Sequence, residues 1–158
     1  MFARRQFLIA TLTTGAITLA ALPALAHDYT AGEVEIGHPW SRAAPAGRTG
    51  AGYMTLRTTG AADRLLSAST PAAERVELHT SMHEGAVMRM RPVTDIPVNP
   101  GETVELKPGG MHLMLVNLTE ALQPGARVPL TLHFERGGDV TVELAVERAG
   151  AGAPAHAH

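Results

Sequence analysis

Cysteine is missing from all 158 residues. Without a thiol there is no disulfide framework and no thiolate chemistry of any kind, so the core must hold by packing alone. Aromatic residues are scarce, at 4% of the chain, and Trp40 is the only tryptophan; a lone indole in such a sequence reads as a packing anchor rather than a substrate platform. Charge of either sign is in no excess. The formal net charge of -2 gives no electrostatic reason to expect nucleic acid or an anionic membrane surface as partner. There is no phosphate-binding glycine loop, no Ser nucleophile with a base in a recognisable setting and no acid pair singled out by context, so an enzyme is not expected. What remains, with 45% hydrophobic residues, has the size and balance of one ordinary globular domain.

The sequence has one long apolar run. Arg4 and Arg5 precede a charge-free stretch from Phe7 to Leu22, which ends in Ala24-Leu25-Ala26 before His27-Asp28. Basic residues, an apolar segment and an A-x-A site, in that order, predict a signal peptide over 1–26, cleaved after Ala26. The stretch RRQFL also resembles a twin-arginine signal, with Ala3 where Ser or Thr is usual, which leaves both it and the Sec route open. Thr11, Thr13, Thr14, Gly15 and Thr18 interrupt the run, which is too short for a membrane span. The expected organisation is therefore a signal peptide at 1–26, a folded domain at 27–148 and a flexible tail at 149–158 built of Ala, Gly, Pro and His.

Within the folded part, short alternating or β-branched runs recur: EVEIGH, GYMTLRT, DRLLSAS, RVELHT, AVMRM, TVELK, HLMLVNL, VPLTLHF and VTVELAV. Turn chemistry separates them, as at Pro45-Ala46-Gly47, Asn99-Pro100-Gly101, Pro108-Gly109-Gly110 and Gly137-Gly138-Asp139. Many short strands with no sustained 3.6-residue period predict an all-β fold, a Greek-key antiparallel β-sandwich.

Against that background the histidines and methionines stand out. Read as a hairpin turning on Glu84-Gly85, residues 77–90 (ELHTSMHEGAVMRM) set His79 opposite Met90 and Ser81 opposite Met88, all on one face. The hairpin then offers one imidazole and a thioether, from Met88 or Met90, while His112 and Met114 share a face of another strand. Thioether sulfur is soft and neutral and selects Cu(I), whereas zinc, calcium and magnesium prefer thiolate, imidazole or oxygen donors. Taken singly, Met82, Met88, Met90 and Met111 read as packing, and a lone histidine as a hydrogen-bonded surface residue. Their joint spacing is what raises a copper site: His79, ten residues, Met90, twenty-one residues, His112, one residue, Met114.

The spacing H-x10-M-x21-H-x-M, in an exported β-protein without cysteine, resembles the motif of the periplasmic copper chaperones called PCuAC proteins. The likeness extends from HPWSRAAPAGRTGAGYMTL through VELHTSM, VMRMRPV and VELKPGGMHLMLVNL to VPLTLHFERGGDVTVELAV. It implies a cupredoxin-like sandwich with His79, Met90, His112 and Met114 as Cu(I) ligands, choosing Met90 over Met88. It implies a periplasmic protein that delivers copper to the CuA subunit of cytochrome c oxidase, in some family members alongside a Sco-type protein. Cu(II)-capturing tails also occur in the family, and His156 and His158 in AHAH resemble a minimal one. His27 would become the N-terminus after cleavage, where an α-amine and an imidazole can chelate Cu(II), but a single His beside a cleavage site reads as incidental; Met82 and His83 lie near the turn, with at most a secondary role, and His38 and His133 read as structural.

Three other functions compete. An electron-transfer cupredoxin is excluded, because a blue-copper site takes a Cys thiolate. A periplasmic copper-resistance or storage protein would bind the metal without delivering it, and a non-metal β-sandwich binding module would use the same side chains as packing.

Overall fold

The computed structural model describes residues 29–150. The expected signal peptide and His156 and His158 of the tail lie outside the described residues. Eleven strands follow one another: β1 (Tyr29–Ala31), β2 (Val34–Arg42), β3 (Gly50–Thr58), β4 (Asp63–Ser69), β5 (Ala73–Glu84), β6 (Val87–Pro92), β7 (Ile96–Val98), β8 (Thr103–Leu106), β9 (His112–Leu118), β10 (Arg127–Phe134) and β11 (Gly138–Glu147). There is no helix among the described residues.

Alternation explains most of these strands. In β10, Val128, Leu130, Leu132 and Phe134 are buried, while Arg127, Pro129 and His133 are exposed. Period-two burial of this kind places one row in the core and one in water. β1 and β7 escape such a reading because three residues carry too little pattern, and β7 contains Pro97, which suits its place at the end of the sheet path.

The strands form one hydrogen-bonded path, β6-β5-β9-β3-β2-β11-β10-β4-β7, with β1 added to β2 and β8 to β3. Every strand ladder is antiparallel except β2–β11, where Trp40, Ser41 and Arg42 run parallel to Ala145, Val146 and Glu147. One apolar cluster joins Leu78, Leu113 and Leu115 from one half of the path to Leu65, Leu132 and Phe134 from the other.

A bulge in β2 decides which way its upper end faces. Gly37 pairs with Thr55 but Trp40 pairs with Tyr53, so β2 carries one extra residue, and His38 there has a φ of 52°. Below the bulge Val34 and Ile36 point into the core; above it Ser41 does, and Trp40 turns to the opposite face, where its ring centroid lies 4.6 Å from that of Tyr53. His38 is thus structural, and Trp40 packs as expected.

At the far end of the sheet Asp63 ties three segments together. Its carboxylate accepts the backbone N–H groups of Arg64 at 2.8 Å, Arg136 at 2.9 Å and Gly137 at 2.8 Å. Gly137 has no room for a side chain, since a Cβ would stand 2.5 Å from the Ala31 carbonyl oxygen. Burial by itself would raise the Asp63 carboxyl, but the three N–H groups, helped by the Arg136 charge, hold it below the usual range. The sign follows: a depressed folded pKa gives stability that is complete above the unfolded value of about 3.9 and is lost as pH falls through the lower folded value. Asp63→Ala should therefore cost about 3 kcal/mol at neutral pH. Urea midpoints of the variant and the wild type should converge as the solution is acidified, and a gap independent of pH would show that the carboxylate's charge plays no part.

Candidate metal centre

The β5–β6 hairpin closes through Gly85-Ala86, with Gly85 at a φ of 65°, as a two-residue turn with Gly first requires. This moves the turn one residue along from the expected Glu84-Gly85. Pairing accordingly slips by two: His79 stands opposite Pro92, Ser81 opposite Met90, and His83 opposite Met88. The expected His79–Met90 and Ser81–Met88 pairings are not formed. Because the slip is even, the faces are preserved, so Met90 and Met88 remain on the side of His79 and Met90 becomes its diagonal neighbour.

On its other edge β5 pairs with β9, and here His79 faces His112 directly, with Glu77 opposite Met114. The two imidazole centroids are 5.8 Å apart, inclined at 45°. β3 completes the surface, with the small side chain of Ala51 opposite Met114. One outer face of the sheet thus carries His79, Met90, His112 and Met114 on three adjacent strands. His112, Met114, Met90 and Met88 line one open depression together with Ser81 and Tyr53. His79 lies beside His112 but not on that wall.

Hydrogen bonds set the state of each imidazole. His112 Nδ1 donates to the Gly110 carbonyl at 3.0 Å, leaving the Nε2 lone pair for a metal. The same carbonyl accepts the Ser81 N–H at 3.2 Å, pinning the Lys107–Met111 turn to the hairpin. His79 Nε2 donates to Glu77 Oε2 at 2.9 Å. Its Nδ1 is buried with no hydrogen-bond partner, an orphaned acceptor of the kind that a ligand or ion accounts for. Glu77 is fixed in turn by Arg75 Nε at 2.7 Å, and Arg75 first, His79 second, hold its carboxyl below the usual range.

Exposure divides the donors into two classes. His79 and His112 are buried, at 8% and 5%, while Met90 is 57% exposed and Met88 47%. Among the described residues no three His, Cys, Asp or Glu side chains are arranged to hold a metal, so an ion held here must draw on sulfur. Of the other residues weighed from sequence, Met111 packs against the core. Met82 lies on the opposite face of the hairpin from Met88 and Met90, and His133 pairs with Asp139 on another surface. Glu77, Gly110 and Tyr53 escaped the sequence reading. Only Glu77 left a trace, as a carboxylate two residues before His79 and hence on its face.

A family model described as "Putative lipoprotein LpqE-like" matches residues 34–146. The chain belongs to the LpqE-like family. A relative from Leifsonia xyli subsp. xyli described as a "Putative lipoprotein" is 30% identical to this LpqE-like chain over 116 residues, which is 72% of the chain and 69% of the relative. Among solved structures, the copper-bound PCuAC domain from PmoF2 is 30% identical with a TM-score of 0.66, covering 78% of this chain and 99% of that domain. The solution structure of the Cu(I) form of DR1885 from Deinococcus radiodurans is 28% identical with a TM-score of 0.60, covering 78% and 83%. The LpqE-like chain is accordingly a PCuAC-type domain with a cupredoxin-like β-fold.

The hydrogen bonds make a prediction that requires no metal. Long-range ¹⁵N NMR of the neutral rings should find His112 as the Nδ1–H tautomer and His79 as the Nε2–H tautomer. A reversed assignment at either ring would mean that its free lone pair is on the other nitrogen and that the hydrogen bond described for it does not form.

Proposed function

We propose that this LpqE-like chain is an exported copper chaperone that holds one Cu(I) through His79, Met90, His112 and Met114 and delivers it to the CuA site of cytochrome c oxidase. The observation that supports this most is the meeting of soft and imidazole donors on one face: His112, Met114 and Met90 on one depression, beside a buried His79 whose Nδ1 has no partner.

Four neutral ligands leave the charge of the ion uncancelled, which suits a cation that is held and then passed on. Thioethers exclude the hard cations and favour Cu(I). The two imidazoles are already oriented by Glu77 and the Gly110 carbonyl, so binding orders little further around them. Met90, exposed on an edge strand, is the ligand that an incoming acceptor reaches and displaces first. A Sco-type protein working alongside, export through the segment 1–26, and Cu(II) capture by His156 and His158 of the tail complete the proposal.

An anaerobic Cu(I) competition titration against a chromophoric chelator tests it, on a chain whose His156 and His158 are changed to Ala. One tight equivalent is expected. His112→Ala should abolish it, and Met90→Leu or Met114→Leu, which keep volume, should lower the affinity about tenfold or more while shifting stability by under about 1.5 kcal/mol. Unchanged affinity in both methionine variants would remove the thioethers from the site.

A further inference from the structure

The β5–β6 hairpin carries a second imidazole–thioether pair beyond the four proposed ligands. His83 and Met88 are direct cross-strand partners, two residues outward from the Ser81–Met90 row and on the same face. Directly opposed side chains have Cβ atoms about 5 Å apart, and successive rows on one face are separated by about 7 Å. An imidazole and a thioether at that separation can hold one Cu(I) between them, since a monovalent soft ion accepts two donors in line. Both side chains are exposed, and among the described residues His83 makes no hydrogen bond or ion pair. A metal bound there breaks nothing.

The pair also connects with the inner site. Met88 lies on the same depression as Met90, His112 and Met114, and its Cε stands 4.0 Å from where a Cβ on Gly109 would be. Its methyl thus leans from the tip back towards the turn that carries His112. The large exposed apolar side chains of the described residues, Met82, Val87, Met88 and Met90, are all on this hairpin. Exposure of that much apolar surface on one projection marks a functional site more often than a packing accident.

We propose that His83 and Met88 form an outer, two-coordinate stop for Cu(I), from which the ion passes inward by way of Met90. This rests on the copper reading of the inner site. Transfer is ligand exchange with no change of oxidation state: the Met90 sulfur bonds to the ion as the His83 nitrogen leaves, then His112 nitrogen bonds as Met88 sulfur leaves. The ion keeps at least two donors throughout. Met90 serves both rows because diagonal neighbours across an antiparallel pair, about 7–8 Å apart, are within reach of long side chains.

The test is NMR of the full chain labelled at methionine Cε and at the histidine rings, titrated anaerobically with Cu(I) through two equivalents. Met90 and Met114 should move with the first equivalent, and Met88 and the His83 ring with the second. His83→Ala and Met88→Leu should each remove the second step, and His83→Ala should slow loading of the inner site from a Cu(I)-chelator donor by about tenfold without weakening its final affinity. If Met114 moves and Met88 stays still through both equivalents, the outer stop is overturned and the inner site stands. Movement of Met88 and His83 without Met114 overturns the inner site and with it the inward passage, leaving only a surface pair that binds Cu(I), and movement of none overturns both. Met82, on the opposite face, is the control: if it shifts together with Met88, the ion is meeting exposed thioethers indiscriminately and the outer stop falls.

Discussion

The carbonyl oxygen of Gly110 is where the site is assembled. It accepts one N–H from the backbone of Ser81 and another from the ring of His112, so a single acceptor fixes the turn against the hairpin and the imidazole against the turn. Were that carbonyl to point elsewhere, β5 and β9 would still pair through Leu78 and Leu113. The His112 ring, however, would lose what selects its tautomer. The order of the sheet and the readiness of the site are thus set by different bonds. The first belongs to core packing, the second to the Lys107–Met111 turn with its two glycines.

The sandwich uses its two surfaces differently. Leu78, Leu113 and Leu115 point inward and are fully enclosed, while their sequence neighbours His79, His112 and Met114 point outward on the same strands. Alternation therefore lets one strand contribute to the core and to the site without a conflict between them. It also separates the energetics: thioether-to-alkyl changes on the outer face leave the core packing alone, and changes one residue away touch stability. The β2 bulge extends this outer surface, because the extra residue at His38 turns Trp40 out beside Tyr53 and brings an aromatic pair alongside the depression.

Most of this was legible in the sequence, and the failures have physical causes. A strand such as β10 was visible because period-two alternation holds over its eight residues. β1 and β7 were not, being three residues each, and the parallel β2–β11 pairing has no local signature at all. The faces of the metal-ligand candidates followed from parity, which survives a two-residue slip, but the pairing itself did not, because it depends on whether Gly85 is the first or the second residue of the turn. The direct His79–His112 contact depends on which distant strand lies beside β5, information that neither hairpin nor spacing contains. Glu77 and Gly110 were hidden for a different reason: a carboxylate and a glycine carbonyl are common, and only their distances from the rings give them a role.

The path of the sheet ends at β6, whose outer backbone N–H and C=O groups have no neighbouring strand. An open edge rich in apolar side chains is a template for another chain to add to, and fibrils begin this way. β6 avoids that fate through its own sequence: Arg89 and Arg91 alternate with Met88 and Met90, both arginines are held on the opposite side by Glu84, and Pro92 closes the strand with no N–H to offer. The residues between the exposed methionines guard the strand, so the alternation that leaves the sulfur atoms uncovered also blunts the edge against strand addition.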